Sequence, residues 1–172
     1  PSQPLRVEEE SATIDVVRRV SPAVVSIVVR KEVARGNLFP LDDFFGFGIP
    51  FPPSIPQPVP PSERGEKQQV GGGSGFIVTS DGYILTNRHV VVDPSAEYTV
   101  VLNDDREFPA KVLAKDPLND LAVLKIDAGG TVLPVLELGD SDEIQIGETV
   151  IAIGYALSEF RNTVTKGVIS GV

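Results

Sequence analysis

The 172-residue chain has room for one compact domain with an appendage, and it carries 24 carboxylates against 15 basic side chains, a formal charge of −9. An acidic balance of this size repels phosphate backbones and argues against a nucleic-acid partner. Cysteine is absent, which excludes disulfides, thiol catalysis and cysteine-ligated zinc, and no stretch reaches the ~20 apolar residues of a membrane helix. The chain opens on Pro1 and contains no methionine, so a mature or trimmed form is expected, with any signal peptide or anchor outside it.

Residues 1–10 are polar and acidic and read as a flexible arm. From Ser11, SATIDVVRRV offers an N-capping serine, Asp15 in the first turn, apolar Ile14, Val17 and Val20 at three-residue intervals, and Arg18 and Arg19 near the end. This predicts a short helix that Ser21 and Pro22 terminate. Ala23–Val33 is rich in β-branched residues and predicts a first strand, so helix and strand together fill residues 11–35.

Residues 36–70 are dense in proline, which supplies no ladder donor, and they read as a long loop inserted in a domain. Phe39, Phe44, Phe45, Phe47 and Phe51 lie in it; bare aromatics are a solubility hazard, so a contact or regulatory role is expected for them. The plainer alternative is a flexible, partly polyproline II insertion without a role.

From residue 71 to 127 short apolar runs alternate with turn signals. Phe76–Val78 leads to a turn at Ser80, Asp81 and Gly82, and Tyr83–Thr86 runs into His89. Tyr98–Leu102 and Glu107–Lys115 pair around Asn103, Asp104 and Asp105, and Leu121–Ile126 follows the break at Asp116 and Pro117. This density of strands predicts a small antiparallel barrel. A polar connector occupies 128–146, and in 147–172 the runs Glu148–Gly154 and Thr163–Ser170 read as a further hairpin.

The only histidine, His89, stands in TNRHVV, and Asp120 follows in DPLNDLAVLKI. An imidazole titrates near neutrality, so it can take a proton from a hydroxyl and return it to a leaving amine. A carboxylate beside it would fix the tautomer and stabilise the imidazolium. Each of the two lies in a polar turn next to an apolar β run that can lock it to a core. One histidine without thiols leaves only carboxylates for a zinc site, and no GxxxxGK[ST] occurs, so neither a metal nor any other cofactor is expected.

At these residues the sequence resembles the trypsin-like serine proteases of the HtrA/DegP class, also called Do-type. GSGFIVTSDGYILTNRHVV (from Gly73), DPLNDLAVLKI, LGDSDEIQIGETVIAIG (Leu138–Gly154) and TVTKGVISGV (Thr163–Val172) carry the likeness. It implies His89 as general base and Asp120 as its orienting partner. It also implies an all-β fold: a trypsin-like Greek-key β-barrel, the first of a double-barrel protease, with the opening hairpin of the second and one short N-terminal helix. Ser74 and Ser170 are poor nucleophile candidates, because Ser74 precedes His89 in the strand leading to it, Ser170 sits in a strand, and neither has a plausible oxyanion hole. The expected nucleophile motif is absent up to Val172, so this polypeptide alone is expected to be inactive. GYALSEF (Gly154–Phe160) stands where many relatives have a Gly, Asn, Pro element.

The function implied is an endopeptidase acting on unfolded or damaged envelope proteins in the bacterial periplasm. Homo-oligomers, trimers by resemblance, are expected through the N-terminal region and loop 36–70. The rival reading is a catalytically silent protease-like binding or regulatory protein that pairs through an open strand edge.

Overall fold

A computed structural model describes residues 4–33, 66–156 and 160–171. Helix α1 spans Pro4–Val20, so the arm expected over residues 1–10 is helical from Pro4 onward. The physical reason is legible in retrospect: proline is suited to the first helical turn, and Glu8, Glu9 and Glu10 are good helix formers. Arg18 and Arg19 occupy the last turn, where they face the negative end of the helix dipole. A single 3₁₀ turn at Ser21–Ala23, with proline at its start, then hands the chain to the sheet. Among the described residues no helix is long and apolar enough to cross a membrane.

Six antiparallel strands close a barrel: β1 (Val24–Val33), β2 (Glu66–Ile77), β3 (Tyr83–Asn87), β4 (Glu97–Val101), β5 (Glu107–Lys115) and β6 (Leu121–Ile126). Their order around the barrel is β1-β2-β3-β6-β5-β4, and β4 pairs back onto β1. Alternation decides which side chains turn inward: Tyr98 and Val100 from β4, and Ala122, Leu124 and Ile126 from β6, are buried while their neighbours are not. β1 departs from this rule, with Val24 and Val28 buried as well as Val25, Ile27 and Val29. The hairpin of β7 (Thr149–Ala156) and β8 (Phe160–Val168) is a separate two-stranded sheet, and β7 lies against β1 and β2. A strand covered on both faces reads as a continuous apolar run, as AVVSIVV does.

The start of β2 corrects the expected loop boundary. Residues 66–69, assigned to the proline-rich insertion, already pair with Arg30–Val33, and the glycine run continues the ladder, with Gly71, Gly72 and Gly73 opposite Val29, Val28 and Ile27. The backbone of β1 supplies the pairing that side-chain propensity does not. Val70 is the extra residue at the register shift between Val29 and Arg30. The rest of the inserted tract, including Phe39, Phe44, Phe45, Phe47 and Phe51, lies outside the described residues.

The expected turn at Ser80–Gly82 is present, closed by Gly82 N–H to Thr79 O (3.0 Å) and Val78 N–H to Tyr83 O (2.9 Å). The connector after β6 is less polar in its packing than in its composition. Leu133 is buried in the barrel core, and the backbone N–H of Leu136 donates to Ile77 O at 2.9 Å. Ser170 lies beyond the end of β8 rather than inside a strand, because the last cross-strand bonds of the hairpin are made by Ile169 with Gly147 and Glu148.

Candidate active site

His89 occupies a short 3₁₀ turn, Arg88–Val91, directly after β3. Val91 is fully buried in the barrel core and anchors that turn from one side. Gly73 of β2 supports it from another: a Cβ there would stand 2.5 Å from Val90 Cγ2, so only glycine lets the turn settle this closely on the strand. Asp120 ends the five-residue connection between β5 and β6, which pairs alongside β3 with Asn87 opposite Leu121. Two adjacent strands thus deliver the two side chains to one end of the barrel.

The geometry is that of a paired imidazole and carboxylate. His89 Nδ1 lies 2.7 Å from Asp120 Oδ2, and the His89 backbone N–H donates to Asp120 Oδ1 at 2.9 Å. An ionised carboxylate only accepts, so the neutral ring carries its proton on Nδ1 and leaves the Nε2 lone pair free to act as a base. Asn87, which the sequence does not single out, donates its side-chain N–H to Asp120 Oδ2 (3.2 Å) and to Asp120 O (3.3 Å). Arg88 N–H also donates to Asp120 O, at 2.9 Å. The Asp120 carboxyl is held below the usual carboxylate range, first by the hydrogen bond from the His89 ring and then by that from the His89 backbone. Because the shift is downward, the stability it confers is complete above the ordinary carboxylate range and is lost only as pH falls through the folded-state value.

The imidazole remains largely exposed, at 69%, while the carboxylate is 41% exposed. A base with an open face beside a half-covered carboxylate can receive a proton from a group presented from outside the barrel. Ser74 is a barrel residue whose carbonyl accepts from buried Thr86 Oγ1 at 2.8 Å. Two concavities, of about 360 Å³ around Ser80, Lys125 and Thr131 and about 700 Å³ around Asp140, Glu143 and Glu148, are lined by neither His89 nor Asp120. Among the described residues, no group of three or more His, Cys, Asp or Glu side chains stands together to hold a metal ion.

The family model of the trypsin-like peptidase domain matches residues 73–172, the stretch that runs from the glycine beneath the histidine turn through both sheets. The chain belongs to the trypsin-like peptidase domain family. Its curated relatives are HtrA-like members of that family. "Probable periplasmic serine endoprotease DegP-like" of Pseudomonas putida is 40% identical over 184 residues, covering 98% of this chain and 36% of its own length. The protein of the same name from Hahella chejuensis is 44% identical over 160 residues, covering 90% of this chain and 32% of its own length. This trypsin-like domain therefore spans about a third of the length of the curated relatives it matches.

Proposed function

We propose that the chain is the histidine- and aspartate-bearing part of an HtrA-like serine endopeptidase of the cell envelope that acts on unfolded or damaged proteins. The observation that carries this reading is the doubly bonded pair, in which Asp120 holds both the ring Nδ1 (2.7 Å) and the backbone N–H (2.9 Å) of His89. In the proposed mechanism Nε2 of His89 removes the proton of a serine hydroxyl as that oxygen attacks the scissile carbonyl. The imidazolium, stabilised by Asp120, then protonates the leaving amine, and water resolves the acyl-enzyme by the same route. The serine and the oxyanion donors come from sequence outside these 172 residues. The strand order β1-β2-β3-β6-β5-β4 fits a Greek-key barrel of the trypsin-like kind, with β7 and β8 opening a second barrel. The relatives' names, which call them periplasmic, support the same setting for this chain.

A chimera tests the reading: residues 1–172 replace the matching segment of the Pseudomonas putida relative. The chimera is expected to degrade unfolded casein, whereas the 172-residue polypeptide alone is expected to leave casein intact. An inert but folded chimera would favour the catalytically silent binding protein instead.

A further inference from the structure

We infer that Asp116 is a positioning residue for Asp120: its carboxylate shapes the connection between β5 and β6 so that the Asp120 carboxylate meets the Nδ1 side of His89. The proposal rests on the reading of His89 and Asp120 as base and orienting partner.

The connection is closed by Asp116 N–H donating to Leu121 O at 2.7 Å, and the backbone of residues 117–120 must turn within that closure. Asp116 Oδ1 accepts the N–H groups of Leu118 (2.7 Å) and Asn119 (3.1 Å), which the strand ladder leaves without partners. Its second oxygen accepts the side-chain N–H of Asn119 at 2.9 Å. The carboxyl is accordingly held below its usual range, led by the Asn119 side chain.

Among the described residues nothing apolar holds this loop in place. Leu118 is 90% exposed, Pro117 and Asn119 are also exposed, and only Asp116 and Asp120 are half-buried. The three bonds to Asp116 are therefore the loop's internal frame. They matter because Asp120, which follows Asn119, has φ of 51°, in the left-handed region that few non-glycine residues occupy. That conformation turns the Asp120 carbonyl toward Arg88 N–H and Asn87 while its carboxylate reaches the imidazole. Without the frame, Asp120 is free to relax to negative φ, which swings the carboxylate away from Nδ1.

The chain has one histidine, so ¹⁵N-histidine labelling of the 172-residue protein yields one pair of ring-nitrogen signals and reads the tautomer directly. In the wild type at pH 8 the Nδ1–H form is expected to dominate. Asp116→Ala is expected to lower the ratio of Nδ1–H to Nε2–H about tenfold, the factor that corresponds to a lost hydrogen bond to a charged group. Asn119→Ala, at an exposed position that removes one bond of the frame, is expected to lower it about threefold. Wild-type ratios in both variants, with barrel amide signals intact, would overturn the proposal. If Asp116→Ala does not fold, an unchanged ratio in Asn119→Ala overturns it alone. Asp120→Ala is the separate control: should it leave the ratio unchanged, the pair itself, and the functional reading built on it, would fail.

Discussion

In the chimeric enzyme, Asp120→Asn is expected to lower kcat about 10⁴-fold while KM for a peptide substrate changes little, the size of effect seen when the orienting carboxylate of such a triad becomes an amide. Asparagine is nearly the same shape, so the loop and the bond from the His89 backbone N–H can survive. What changes is the position of Oδ2, which makes the ring contact at 2.7 Å and accepts from Asn87 at 3.2 Å. An amide NH₂ directed at Nδ1 selects the tautomer with its proton on Nε2, which leaves no lone pair for the incoming hydroxyl. The amide also does not offset the charge of an imidazolium. Steady-state kinetics on the folded variant checks this. A loss of less than tenfold would mean that Asp120 supports the fold of the site without taking part in proton transfer.

Gly82→Ala is expected to be the most destabilising single methyl added to the barrel, at about 3–5 kcal/mol, because two independent costs fall on one position. Gly82 has φ of 102°, where a side chain is strained whatever the space around it. A Cβ there would also meet Ile126 O at 2.6 Å and Ile126 Cγ1 at 2.9 Å. Neither can retreat cheaply, since Ile126 N–H donates to Gly82 O at 3.0 Å and the Ile126 side chain is part of the core. Gly130→Ala separates the two costs: φ is 85° there, but nothing lies within 4 Å of the added carbon, so about 1 kcal/mol is expected. Urea denaturation of the two variants makes the comparison, and equal losses would show that the contact with Ile126 relaxes without cost.

The barrel was legible in the sequence wherever burial follows the two-residue period. Tyr98 to Val101 and Leu121 to Ile126 are short apolar runs bounded by turn signals and alternate in burial, so both strands could be placed from residues alone. The start of β2 could not, because a glycine run has no side-chain pattern, and its pairing is imposed by β1 and by the turn that packs on Gly73. The helical reach of α1 back to Pro4 was missed because charged residues without apolar spacing resemble a solvated arm. Leu133 was hidden for the opposite reason, as a single core residue in a polar connector.

Of the site, His89 and Asp120 were legible as residue types in polar turns beside apolar runs, and the resemblance to a protease class gave them roles. Their contact, across 2.7 Å, is a property of strand neighbours β3 and β6, which no local pattern reveals. Asn87 donates to the backbone and carboxylate oxygens of Asp120, and Asp116 accepts the backbone N–H groups of Leu118 and Asn119. Asn and Asp are ordinary turn residues, so their positions in TNRHVV and DPLND carried no distinguishing signal.

Covalent labelling of the chimera with a fluorophosphonate probe tests the central claim most directly, because the probe reports whether His89 activates a serine, without any dependence on substrate recognition. The chimera with wild-type residues 1–172 is expected to label at one serine, outside those residues, and His89→Ala is expected to label at least 10³-fold more slowly. Undiminished labelling of a folded His89→Ala chimera would contradict the account.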